Sequence, residues 1–153
     1  MSKAISNKNV ADAKFAPAPF DGPFKAALGR PELKGSWLIF GKSGSGKTTF
    51  ALQLAKYLTR FVDKVAFDSL EQGLSLSMQK AWKRVDMAAA GSKVIFLDKE
   101  SLPELRDRLS KRKSPNVIII DSVICLVGMR LADYQKLMND YPNKLFIFLA
   151  HED

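Results

Sequence analysis

One cysteine in 153 residues leaves no partner for an internal disulfide and suits a reducing compartment. Cys125 lies inside the apolar run Val123-Ile124-Cys125-Leu126-Val127 and reads as a small buried hydrophobe, not a nucleophile. No apolar run approaches the ~20 residues that a membrane-crossing helix needs, so no transmembrane segment is expected. The N-terminus carries no apolar stretch of secretory length, and the chain is expected to be a mature cytoplasmic protein. No internal repeat or low-complexity tract is visible. What is present is the composition of an ordinary globular protein, 46% hydrophobic and 26% charged. The length is that of one domain, able to bury roughly two thirds of its unfolded surface. Acid is comparatively scarce: 16 acidic residues face 24 basic ones, for a net charge of +8 and a pI near 9.6. That balance favours a polyanionic partner such as nucleic acid or a nucleotide. The other reading is a solvated basic surface.

Residues 1 to about 34 differ from the remainder. They hold Pro17, Pro19, Pro23 and Pro31, several alanines and six basic residues, and no helix or strand period runs through them. This stretch reads as a loosely ordered basic arm, packed locally through Phe15, Phe20 and Phe24. From residue 35 onward, strands and helices alternate. Strands are expected at about 36–40, 64–68, 93–97, 116–121 and 144–149. Helices are expected at about 47–60, 73–86, from Ser101-Leu102-Pro103-Glu104 onward, and 130–139. The first of these helices puts Ala51, Leu54, Ala55 and Leu58 on one face, with Gln53, Lys56 and Arg60 opposite. The second shows Leu74, Met78, Ala81 and Val85 at helical spacing. Ser101 to Glu104 fits a capping box with proline in the first turn. Val117-Ile118-Ile119-Ile120 is continuously apolar, as a strand buried on both faces requires. The alternation specifies an α/β fold of three layers, a mainly parallel sheet of about five strands covered by helices on both sides. Trp37 and Trp82 lie on element faces and read as core or half-buried. Lys111-Arg112-Lys113 and Lys83-Arg84 read as solvated basic turns.

The residues that carry chemistry follow strand ends. Gly41-Lys42-Ser43-Gly44-Ser45-Gly46-Lys47-Thr48 is a complete G-x-x-x-x-G-K-[ST] phosphate loop, followed by Thr49, after an apolar run and before a helix. Its glycines permit the close approach of backbone N–H groups to a triphosphate, and the following helix adds its free amides. Lys47 reaches the β- and γ-phosphates, and the Thr48 hydroxyl holds Mg²⁺. In open α/β sheets ligands bind at the C-terminal strand edge, so the other polar residues there become candidates. Asp121 ends a buried apolar strand, where a carboxylate suits the Mg²⁺ shell of a bound nucleotide, with Ser122 able to assist. Glu71, in Asp68-Ser69-Leu70-Glu71-Gln72-Gly73, is placed to orient and deprotonate a water in line with the γ-phosphate. Asp68 competes for that role, and either acid also suits a helix N-terminus. His151, the one histidine, follows the last strand as a γ-phosphate sensor or a structural residue.

Taken in order, Gly-Lys-Ser-Gly-Ser-Gly-Lys-Thr-Thr, Asp-Ser-Leu-Glu-Gln-Gly, Ile-Ile-Ile-Asp-Ser-Val and Phe-Leu-Ala-His resemble the RecA-like ATPase core. Bacterial recombinases, the circadian clock ATPase KaiC and replicative helicases share that core. The likeness covers roughly residues 33–151. It implies Lys47 and Thr48 as the Walker A lysine and magnesium hydroxyl, and Asp121 as the Walker B aspartate followed by Ser122. It also implies Glu71 as the glutamate that activates water, and His151 at the place of a polar γ-phosphate sensor. The family's strand order places the fifth strand between the Walker A and Walker B strands. Two departures stand out. The connection at about 122–143 is short and lacks a Gly-rich DNA-reading loop, and further strands expected after the fifth are missing, as in a truncated member or fragment. The first strand then lies at a bare sheet edge unless a missing segment, a partner or another copy in a homo-oligomer covers it. Lys42 also resembles the signature lysine of ParA-class ATPases, though Glu71 has no role there. The resemblance implies a Mg²⁺-dependent ATP-binding ATPase linked to DNA recombination, repair or replication, with single-stranded DNA as a partner. The rivals are an ATP-controlled assembly switch or scaffold, and a P-loop small-molecule kinase.

Overall fold

The computed structural model describes residues 3–42, Gly44, residues 46–122 and 131–151. Ser43, Ser45 and Cys125 lie outside the described residues, as do the other residues of 123–130 in the connection after Asp121. The chain divides into two compact units, residues 1–32 and 33–153.

In the first unit, two short helices stand where no period is readable, α1 (Asn7–Asp12) and α2 (Gly22–Leu28). Each is defined by its ends. The Ser6 hydroxyl accepts from the Asn9 amide at 3.1 Å, and α2 opens on Asp21 and Pro23 and closes at Gly29. Neither is long enough for an apolar stripe to show. Of the three phenylalanines expected to pack, Phe20 is fully buried, Phe24 partly, and Phe15 is exposed.

The second unit is built as β1 (Gly35–Gly41), α3 (Lys47–Leu58), β2 (Val65–Ser69), α4 (Leu76–Arg84), β3 (Val94–Asp98), α5 (Leu102–Leu109), β4 (Val117–Asp121), α6 (Leu131–Asp140) and β5 (Leu145–His151). The strands form one parallel sheet in the order β1-β5-β4-β2-β3, with β5 between the phosphate-loop strand and the Asp121 strand as expected. Strand parity sorts the layers. Ala66, Ile118, Ile120 and Phe146 face α5 and α6, where they pack with Leu105, Leu109, Tyr134 and Leu137. Residues of the other parity face α3 and α4: the Trp82 ring of α4 meets Phe67 and Phe96 edge-on, at 6.4 and 5.5 Å. The predicted stripe of α3, Ala51, Leu54, Ala55 and Leu58, is wholly buried, together with Leu52. The capping box at Ser101 and Glu104 is formed, with the Ser101 hydroxyl accepting from the Glu104 amide and the Glu104 carboxylate from the Ser101 amide. Helix α4 begins later than its spacing indicates, because Ser75 caps it and Gly73 sits at φ 63°; Leu74 is therefore outside the helix and exposed. At the sheet edge, β1 pairs with β5 alone among the described strands, and Leu38 and Phe40 are 64% and 60% exposed. No helix among the described residues is long and apolar enough to cross a membrane.

Candidate functional site

All five strands point their C-terminal ends to one edge. The register sets Gly41 beside His151, and both Asp98 and Asp121 beside Ser69. The phosphate loop leaves β1 here and enters α3 at Gly46, whose φ of 89° is open to glycine and strained for any side chain. Lys47 is buried, 8% exposed, and its ammonium donates to the carbonyls of Gly41 (2.8 Å) and Lys42 (2.6 Å), folding back over the loop. Thr49 follows half-buried in α3.

Asp121 is buried at the end of β4 and accepts from the Thr48 hydroxyl at 3.1 Å. Burial pushes its carboxyl above the ordinary range, the Thr48 bond pulls it back, and the charge of Glu71 adds to the rise. These two oxygens meet at the foot of the loop and are hard donors of the kind a small divalent cation takes. Ser122, next in the chain, is fully buried, and its hydroxyl has no hydrogen-bond partner among the described residues.

Glu71 reaches the same place by a different route. The Asp121 carbonyl accepts from both Leu70 N (2.7 Å) and Glu71 N (3.0 Å). The Ser69 hydroxyl and carbonyl accept from the Gly73 amide, and the Asp98 carboxylate accepts from Leu74 N at 2.9 Å. A Cβ on Gly73 would stand 2.6 Å from the Asp98 carboxylate and 2.8 Å from the Lys99 side chain, so this turn closes only over glycine. The His151 Nε2 lies 2.7 Å from Glu71 Oε2, within hydrogen-bond distance. Glu71, Asp121 and His151 each bring a ligand atom to within 4.8 Å of the others. Three residues from three strand ends, far apart in sequence, thus converge beside the phosphate loop. Reading the sequence alone missed Ser69, Gly73 and Asp98, which build the turn that carries Glu71.

Asp68 does not join them. Its parity puts it on the α5–α6 face of the sheet, opposite Ser69 and Asp121, where it is 1% exposed and accepts from Glu100 N at 2.9 Å. Nearby, Arg108 grips Glu100 through two bonds of 2.8 and 3.0 Å. Burial raises the Asp68 pKa from 3.8 to about 7. A carboxyl raised on folding stabilises the fold fully only below its unfolded pKa, and that contribution is lost as pH rises towards the folded value. Asp68→Asn should therefore raise the unfolding free energy measured in urea more at pH 8 than at pH 4.5, by on the order of 2–4 kcal/mol between the two. An offset that is the same at both pH values would show that Asp68 is not held neutral.

Residues 37–152 match the family described as ATPase family associated with various cellular activities (AAA). The chain belongs to this family. Within it, the strand order and the loop make it a RecA-like P-loop ATPase. It is 31% identical over 102 residues to the DNA repair and recombination protein RadB of Methanosphaera stadtmanae, covering 62% of this chain and 44% of that protein. The chain thus spans less than half the length of this relative. Among solved structures, the flagellar accessory protein FlaH from Methanocaldococcus jannaschii superposes with a TM-score of 0.65 at 15% identity, over 90% of this chain and 71% of that one. A second solved structure, itself described as an ATPase domain, superposes with a TM-score of 0.59 at 22% identity, over 78% of this chain and 58% of that one. These two likenesses bear on the fold of this P-loop ATPase alone.

Proposed function

We propose that this ATPase domain binds ATP with Mg²⁺ and hydrolyses it in the cytoplasm, in the service of DNA recombination, repair or replication. The observation that supports hydrolysis is the meeting of Glu71, Asp121 and His151 beside the phosphate loop. Lys47 exchanges its two loop carbonyls for the β- and γ-phosphates, and the amides at the start of α3 complete the cradle. Thr48 and Asp121 hold Mg²⁺, which when bound neutralises charge developing on the phosphate oxygens. Glu71 orients a water and takes its proton as the water attacks in line. His151, which meets Glu71 at 2.7 Å, is the γ-phosphate sensor of this reading. Nucleotide that draws the ring away releases Glu71 to its water.

The DNA assignment draws on the relative described as a DNA repair and recombination protein and on the net charge of +8. Single-stranded DNA should raise the ATPase rate severalfold, with the gain fading as salt increases. A rate indifferent to DNA, with ATP still turned over, would remove DNA from the reading and leave hydrolysis standing. The β1 edge, unpaired on one side among the described residues, with exposed Leu38 and Phe40, favours a second reading, in which ATP controls assembly with copies of this chain or another partner. ATP-dependent change in mass without turnover distinguishes it.

A further inference from the structure

Glu71, Asp121 and His151 offer two carboxylates and one imidazole, and the imidazole sets this trio apart from the all-oxygen pair of Thr48 and Asp121. Oxygen donors suit Mg²⁺, whereas imidazole selects borderline transition metals such as Zn²⁺. We propose that the trio forms a site for one such ion in the nucleotide-free protein, and that the ion holds the ATPase off by occupying Glu71 and His151 together.

The geometry is close to what such an ion demands. With Zn–N and Zn–O bonds of about 2.0–2.2 Å, donors on one coordination shell stand roughly 3–4 Å apart. Here the three ligand atoms lie within 4.8 Å of one another, and the His151–Glu71 pair, at 2.7 Å, needs only to open slightly. The backbone is already in place. Strands β4 and β5 pair Asp121 with Leu149, which sets His151 two residues further on along the same face, and the Asp121 carbonyl holds the Glu71 amide. Asp121 is buried and the His151 side chain is 14% exposed, while Glu71, at 41%, has room to rotate into a third bond and leaves an open path for the ion. Thr48, bonded to Asp121, supplies a neutral oxygen beside the site. Zn²⁺ binding here needs no nucleotide, so the site stands or falls apart from ATP hydrolysis, while its hold on the ATPase rests on the function proposed above.

Zn²⁺ titrated into the chelator-stripped full chain, in competition with a colorimetric chelator, should fill one site per chain. His151→Gln and Glu71→Gln should each weaken binding at least about tenfold, and Cys125→Ala should leave it unchanged. Millimolar Mg²⁺ should not displace the ion. Thermal melts of each variant confirm folding. Should His151→Gln not fold, Co²⁺ bound to the unmodified chain should give visible d–d bands without a thiolate charge-transfer band. Absence of uptake, displacement by Mg²⁺, a thiolate band, or loss on Cys125→Ala with full binding by His151→Gln would each overturn the site.

Discussion

Lys47→Ala is expected to weaken ATP binding by roughly 30- to 1,000-fold, with turnover falling alongside. The magnitude follows from removing a buried cation from a triphosphate, which costs on the order of 2–4 kcal/mol. In the folded chain Lys47 is already buried, 8% exposed, with its ammonium held over the loop by the carbonyls of Gly41 and Lys42. Those two bonds have a second consequence. Alanine also releases the carbonyls that face inward across the loop, so a modest loss of thermal stability should accompany the loss of affinity. Titration with a fluorescent ATP analogue, read beside a melting curve, separates the two effects. Affinity and rate both unchanged in a folded variant would sink the phosphate-loop reading.

Glu71→Gln should behave in the opposite way, keeping ATP affinity within a few-fold while phosphate release falls by about 10²–10⁴. Glutamine preserves the length of the side chain and can still accept from His151 through its amide oxygen. Its backbone bond to the Asp121 carbonyl does not involve the side chain at all. What is lost is the proton acceptor. Binding by equilibrium titration and phosphate release under the same conditions make the comparison. If turnover survives, the base lies elsewhere, and Asp68 is not the substitute, because it faces the other side of the sheet.

What the sequence disclosed, and what it withheld, follows the range of the interactions concerned. The α3 stripe, the apolar run of β4 and the Ser101 cap are written within a few residues and read correctly. Asp121 was legible because a carboxylate at the end of a doubly buried strand needs a reason. The contact of Glu71 with His151 joins residues 80 apart, and nothing local announces it. Parity would have removed Asp68 sooner: a residue one step before Ser69 must face away from it, whatever its chemistry. Gly73 was readable as a glycine two residues after a candidate base, although its collision partners, Asp98 and Lys99, come from β3 and the turn after it. Helix α2 had its signal in Asp21-Gly22-Pro23, an acid and a proline at a helix start, which outweighs the missing period in a helix of 7 residues. At α4, Ser75 was the boundary, and Leu74, one residue before it, matched the helical spacing without belonging to the helix.

The carbonyl of Asp121 carries one last implication. It receives the amides of Leu70 and Glu71, so the two acids of the site are tied to each other through peptide groups. Side-chain identity and backbone placement are consequently separate variables at these positions. The carboxylates can be exchanged for amides, or Glu71 for a residue of different reach, while the scaffold that presents them keeps its spacing. The strand ends behave as a socket into which different chemistry can be fitted, and a comparison among such variants reads the chemistry of the groups, undistorted by movement of the frame.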